Sequence, residues 1–410
     1  MAQTLFWIIV ALVLFDFFFG KSLSLLNLKR MVPDLPGELK GIYDQEKYAR
    51  SQQYQKTNIR FSFISDSFSL VVFLLVLFLG GFARLDEWVH NLTENVYLQS
   101  LLFFGVLGLA MDLISLPFQL YDTFVIEEKF GFNKTTPKTF VLDKLKGWLV
   151  SIVLGGGILL FIQWAFVATN NWFWLIVMGG LSFFMIFMAM FYTQLIVPLF
   201  NKLTPLEEGE LKNAIEQFAQ KTGFELDNIY VIDGSKRSTK ANAYFSGLGP
   251  KKRIILYDTL INDLTTEEIV AVLAHEVGHY KKRHIIKGLA MSLFQTAILV
   301  ALLWYALSNP ELSYALGAKV PSFHMGLLAF AFLFSPVSFI TGIISNMFSR
   351  KYEYEADAFA REKYSATKLT DALIKLSVKS LSNLTPHPLY VFFNYSHPTL
   401  LQRMQMLKKQ

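Results

Sequence analysis

A chain of 410 residues with 53% hydrophobic and only 17% charged residues does not have the composition of a soluble protein, and its mean hydropathy of +0.38 agrees. Cysteine is absent, which excludes disulfides, thiolate metal sites and a cysteine nucleophile, so any metal must be held by histidine and carboxylate. The net charge of +6 would suit a nucleic-acid partner only if the basic residues shared one soluble face, and their distribution assigns them to membrane topology instead.

Runs apolar enough to cross about 30 Å of hydrocarbon as a helix of about 20 residues occur at 4–20, 61–83, 98–120, 147–168, 172–199, 285–308 and 323–348. The first resembles a signal peptide only in hydrophobicity: it has no basic leader and no small-residue cleavage site, and it carries Asp16, so it reads as a span. Seven spans place the termini on opposite sides. Segments 21–60, 121–146, 200–284 and 349–410 then share one side and hold 35 of the 38 Lys and Arg. The positive-inside rule makes that side cytoplasmic and leaves the N-terminus outside, and it accounts for the basic charge with no nucleic acid. Asp16, Asp66 and Asp112 fall within spans, where an acid either lines a hydrated interior or is hydrogen-bonded between helices.

The predicted architecture is a mainly α, polytopic membrane protein with an α+β cytoplasmic region. Residues 1–199 carry spans one to five, 200–284 form the main cytoplasmic region, 285–348 return through the membrane twice, and 349–410 are cytoplasmic and helical. Within 200–284, Thr204, Pro205, Glu207 and Glu208 read as cap, first position and acidic first turn of a helix running to about Gly223. Short strands are expected at 229–232, 242–245 and 253–257. Thr265 to Glu268 reads as a capping box opening a second helix. Leu369, Leu373, Leu376 and Leu381 form a core stripe near helical spacing, which the Pro386-His387-Pro388 turn ends.

That second helix carries His275-Glu276-Val277-Gly278-His279, a H-E-x-x-H motif. Histidines at i and i+4 share one helix face and can bind one tetrahedral zinc, with Glu276 beside them to act as base on a water. A solvated helix face or a structural histidine pair is the plain alternative, and a third ligand decides against it. Glu353 is that candidate, directly after the last span, where a transmembrane hairpin returns the chain to the side it left. Asp357 shares its helix face at i+4 and can accept the outer N–H of a ligand histidine, whereas Glu355 points away. His397 and Arg403 lie on the same side as candidates to stabilise the transition state, though by sequence alone they read better as surface or core polar residues. Asn242 to Phe245 offers a strand edge for an extended peptide.

Taken together, Glu128 to Asn133 through Thr136, Asn242-Ala243-Tyr244, HEVGH, the Glu353–Asp357 element and Ser396-His397-Pro398 with Arg403 resemble the Ste24 family of integral-membrane zinc metalloproteases, the CAAX prenyl proteases of the M48 group, over essentially the whole chain. The resemblance implies one zinc ion on His275, His279 and Glu353, Glu276 as base, and Asp357 behind the ligands. It further implies substrate or transition-state contacts at His397 and Arg403 and substrate docking at Asn242, Ala243 and Tyr244. Seven helices around a water-filled chamber would be capped by the catalytic region, with Asp16, Asp66 and Asp112 lining the chamber. The expected reaction is zinc-dependent peptide hydrolysis, removing the C-terminal tripeptide of prenylated C-a-a-X proteins. The partners are peptide or protein substrates, prenylated or not, and membrane lipids, in a bacterial inner membrane or the endoplasmic reticulum. Two other readings are quality control of membrane proteins without a prenyl requirement, and a seven-span transporter or lipid-binding protein with a structural HEVGH.

Overall fold

The computed structural model describes residues 1–224, 228–246 and 253–408. In hydrocarbon a backbone can satisfy its own polar groups only as a helix or closed barrel, and the apolar runs fold as helices. These are α1 (Ala2–Arg30), α2 (Gln45–Phe78), α3 (Gly81–Leu92) and α4 (Val96–Tyr121), the last continued by a π-helical turn at Asp122–Glu127. Next come α5 (Pro137–Val150), a π-helical turn at Ser151–Gly155, α6 (Gly156–Thr169), α7 (Phe173–Leu195) and α8 (Val197–Phe200). Starts are set locally: Asp44, Asn95 and Thr136 each accept from a backbone N–H of the first turn of α2, α4 and α5.

The sheet comprises β1 (Leu203–Pro205), β2 (Asn228–Ile232), β3 (Ala243–Ser246) and β4 (Arg253–Tyr257), with α9 (Glu210–Lys221) between β1 and β2. After it follow α10 (Asp258–Asp263), α11 (Thr266–Lys281), α12 (His284–Leu307), α13 (Glu311–Ala315), α14 (Phe323–Leu333), α15 (Ser335–Lys363), α16 (Ala366–Lys379), α17 (Pro388–Asn394) and α18 (Leu400–Lys408).

Among the described residues, five helical runs are long and apolar enough to cross a membrane: Ala2–Arg30, Gln45–Phe78, Val96–Glu127, Pro137–Phe200 and His284–Leu307. A sixth is the pair α14 and α15, bent by 49° where Pro336 enters the first turn of α15. Length and composition thus give five or six crossings instead of the expected seven. The difference lies in the 64-residue run Pro137–Phe200, which as a straight helix would measure about 96 Å. It is interrupted at Asn170, whose φ is 41°, and α6 and α7 pack against each other.

The sheet order is β1-β2-β4-β3, with β2 and β4 parallel and both edge strands antiparallel. Here one expectation fails. Thr204 and Pro205 do not open a helix but lie in β1, and α9 begins five residues later at Glu210. In an antiparallel edge strand alternate N–H groups face the partner: Leu206 N donates to Ile229 O, so the missing N–H of Pro205 falls on the open side, where it costs nothing. At Thr265 the expected capping box is present. α9, α10, α11 and α16 surround one core that includes Ile215, Leu260, Val277 and Leu369. Leu381 lies beyond α16, with φ 51°, and packs with Tyr54, Phe130 and Phe132.

The Glu128–Asn133 stretch moors this region to the membrane helices. Thr239 N donates to Phe132 O and Lys134 N to Arg237 O. Arg237 grips Asp143 with two bonds of 2.7 and 2.9 Å. Of the three acids that fall within the expected spans, two are paired between helices: Asp66 with Lys21 at 2.5 Å and Asp112 with Lys144 at 2.6 Å. Asp16 is exposed.

Candidate metal centre

Helices distant in sequence build the site. α11 and α15 pack together, and at Gly278 a Cβ would lie 3.0 Å from Ala356 Cα and 3.1 Å from its carbonyl oxygen. Those neighbours are backbone and cannot step aside, so the glycine inside HEVGH is a packing requirement. At this separation one turn of α11 presents His275 and His279 to one turn of α15 bearing Glu353 and Asp357.

His275 Nε2 and His279 Nε2 are 3.1 Å apart. Glu353 Oε2 lies 3.5 Å from the first and Oε1 3.3 Å from the second. A tetrahedral zinc with bonds of about 2.0–2.1 Å spaces its ligand atoms about 3.3 Å apart, and the observed separations bracket that value. Glu353 Oε2 is buried without a hydrogen-bond partner, a cost that a central cation removes. The residues present therefore fit a metal ion.

Behind the ligands, His275 Nδ1 meets Asp357 Oδ1 at 2.8 Å. Burial opposes a charge on this imidazole, but Asp357 and Glu353 outweigh it, and without metal its pKa is pushed up to about 9. Metal entry at neutral pH must then displace a proton. Arg403, expected to face substrate, lies on this inner side. It is 9% exposed, holds Asp357 through Nε at 2.8 Å and Nη2 at 2.5 Å, and brings Nη1 to 3.4 Å from Glu353 Oε2. Burial works against its charge, and Asp357 more than restores it, so its pKa is raised.

His397 occupies the open side: its side chain is 64% exposed and its Nε2 is 3.3 Å from Glu353 Oε1, with Ser396 Oγ at 2.9 Å from Nδ1. Glu276 is half-buried and adjoins His275 in the helix. Asn242 immediately precedes β3, and Ala243 and Tyr244 lie in it. β3 is an edge strand that packs on α11. Tyr257 N donates to Asn242 O, which leaves the backbone groups of Ala243 on the free edge. There the Asn242 side chain accepts from Ala243 N at 2.9 Å.

Sequence reasoning missed His284. Its Nδ1 lies 3.0 Å from His279 Nδ1 and its Nε2 2.9 Å from Glu355 Oε2. Glu355 does point away from the metal position, as expected, but toward this second histidine. The five-residue spacing from His279 hid the contact, because a straight helix would send His284 to another face. The chain reverses at Lys282-Arg283, with Arg283 at φ 58°.

A second His/carboxylate group, Asp86, His90 and His324, joins α3 to α14. His324 Nε2 meets Asp86 Oδ1 at 2.7 Å and Nδ1 meets Ser100 Oγ at 3.3 Å. Ser322 Oγ donates to Asp86 Oδ1 at 2.9 Å, and His90 Nδ1 meets Asp86 O at 2.8 Å.

Comparisons with known proteins place these features in context. Residues 24–202 match the family described as CAAX prenyl protease N-terminal, five membrane helices, and residues 205–410 match peptidase family M48. CAAX prenyl protease 1 of Saccharomyces cerevisiae is 36% identical over 400 residues, covering 91% of this chain and 88% of its own. The human CAAX prenyl protease 1 homolog is 32% identical over 434 residues, with coverage of 91% and 88%. The crystal structure of S. mikatae Ste24p superposes with a TM-score of 0.94 at 35% identity, over 99% of both chains.

Proposed function

The chain belongs to the CAAX prenyl protease family of M48 peptidases and is an integral membrane metalloprotease, and on that premise we propose how its own residues carry out the reaction and on what substrate. A single zinc ion is held by His275, His279 and Glu353. The observation that carries this assignment is the trio of ligand atoms at zinc-like spacing, with a buried Glu353 oxygen that makes no hydrogen bond and meets the Arg403 guanidinium at 3.4 Å. When bound, zinc supplies a Lewis acid and lowers the pKa of water to about 7.

Glu276 takes the proton of the attacking water and delivers it to the leaving amine. Negative charge developing on the scissile carbonyl is met by His397 from the open side. Arg403 and Asp357 work from behind: the arginine offsets two buried carboxylates, and Asp357 holds the His275 ring and its tautomer. The free edge of β3 at Asn242, Ala243 and Tyr244 pairs with the substrate backbone in extended form, the Asn242 side chain giving up its hold on Ala243 N.

The break at Asn170 and the packing of α6 on α7 support counting Pro137–Phe200 as two crossings, which with the bent pair makes seven helices around a chamber. Domain limits follow at 1–199, 200–284, 285–348 and 349–410. The basic segments favour a cytoplasmic catalytic side with the N-terminus opposite. The substrate is a prenylated C-a-a-X protein or peptide, cut to release its last three residues, as the names of the relatives suggest. Cleavage of prenylated and unprenylated C-a-a-X peptides by purified protein is the test, with Glu276→Gln as blank. That variant should keep its zinc and lose activity by about 10²–10⁴-fold. Equal cleavage of both peptides would replace the prenyl substrate with general membrane-protein quality control.

A further inference from the structure

The two ligand histidines are supported differently. His275 rests directly on a carboxylate, Asp357. His279 rests on a second imidazole, which in turn rests on a carboxylate.

Protons can be placed along this second chain by elimination. If His279 offers Nε2 to the metal, its proton is on Nδ1. The contact of 3.0 Å to His284 Nδ1 then needs a lone pair there, which puts the His284 proton on Nε2. That proton points to Glu355 Oε2 at 2.9 Å, and a carboxylate can only accept. Every donor meets an acceptor, and the chain ends on a charge.

His284 is held in place for this. It is 5% exposed, and its ring lies flat on Tyr352, with centroids 4.3 Å apart and planes 14° apart. Glu355 is flanked by Lys287 and Lys351, each 3.9 Å away. The reversal at Arg283 sets His284 at the first position of α12, and both Tyr352 and Glu355 belong to α15. One histidine thus links the HEVGH helix to both helices that lead into the membrane.

We propose that His284 and Glu355 are positioning residues for the metal: the Glu355–His284 relay fixes the tautomer and ring orientation of His279 and strengthens it as a ligand. The inference rests on the reading that His275, His279 and Glu353 hold zinc. Outer partners of ligand histidines affect metal affinity by about 10–100-fold. The relay achieves this at His279 without placing a second carboxylate directly against a ligand ring.

Two variants separate hydrogen bonding from packing. His284→Phe keeps a ring against Tyr352 and removes the acceptor; His284→Asn gives up the ring and keeps an acceptor oxygen near the Nδ1 position. Zinc dissociation constants are measured on full-length apo protein in detergent by competition with a chromophoric chelator. The d–d spectrum of the cobalt-substituted protein is recorded alongside. His284→Phe should bind zinc about 10–100-fold more weakly with an altered cobalt spectrum, and His284→Asn should stay within about threefold of wild type. Wild-type affinity in His284→Phe, or equal losses in both variants, overturns the proposal. If His284→Phe does not fold, Glu355→Ala at the partly exposed end of the relay decides: weaker zinc binding supports the relay, unchanged binding overturns it. Failure of the wild-type protein itself to bind zinc would instead remove the metal assignment.

Discussion

Two groups of histidine and carboxylate sit in this molecule with the same composition and opposite accounts. Around Asp86 and His324, each histidine nitrogen that makes a contact meets an oxygen: carboxylate, hydroxyl or carbonyl. Around Glu353, two ring nitrogens face each other at 3.1 Å and one buried oxygen makes no hydrogen bond. The first is a finished hydrogen-bond network that ties α3, α4 and α14 together. The second leaves polar valence that a cation would meet. Ligand identity alone does not distinguish a metal site from a latch; unmet polar valence does.

The sharpest way to break this contrast is metal stoichiometry. Wild-type protein should hold one zinc per chain, Glu353→Ala should lose it with affinity falling by at least about 10³-fold, and Asp86→Ala should retain it in full, as read by elemental analysis after dialysis. Two ions in wild type, or one lost on Asp86→Ala, would make the clusters equivalent. Unfolding in detergent sharpens the contrast from the other side. Asp86→Ala leaves the buried His324 Nε2 and the Ser322 hydroxyl without their shared acceptor, and should cost about 2–4 kcal/mol with zinc affinity intact.

A third expectation concerns pH. The His275 pKa lies at about 9 in the metal-free fold and near 6.5 unfolded. A raised pKa stabilises fully below pH 6.5, and the contribution disappears as pH rises through about 9. The melting temperature of chelated protein should fall across that window by an amount worth about 3 kcal/mol. Zinc-loaded protein, whose His275 is already neutral, should show no such decline. Smallest is Thr265→Ala, which removes the cap of α11 for about 1 kcal/mol and should leave zinc affinity unchanged, because packing against α15 sets the ligand positions.

Much of the catalytic side is legible in the sequence because its signals are local. HEVGH, the Thr265 capping box and the 253–257 strand each depend on residues a few positions apart. Glu353 was reachable because the hairpin topology returns the chain to the same side. What stayed hidden depends on chain reversal or on distant partners. Pro205 reads as a helix opener and becomes an edge-strand residue once β2 pairs with β1. Arg403 reads as a surface or core polar residue until α18 packs beside α15 and turns it onto Asp357. His324 and Asp86 are separated by 238 residues, and no local pattern links them.

Glu353 rides on a helix that is continuous from the bend at Phe334 to Lys363. Ser335 to Glu353 is about 27 Å of helix, a stiff arm with its pivot in the apolar part of the chain. A swing of about 5° at that pivot would carry Glu353 about 2.4 Å, more than the length of a zinc–ligand bond. The close approach of Gly278 to Ala356, about one turn beyond Glu353, packs the free end of this arm against α11 and is placed to hold Glu353 beside His275 and His279.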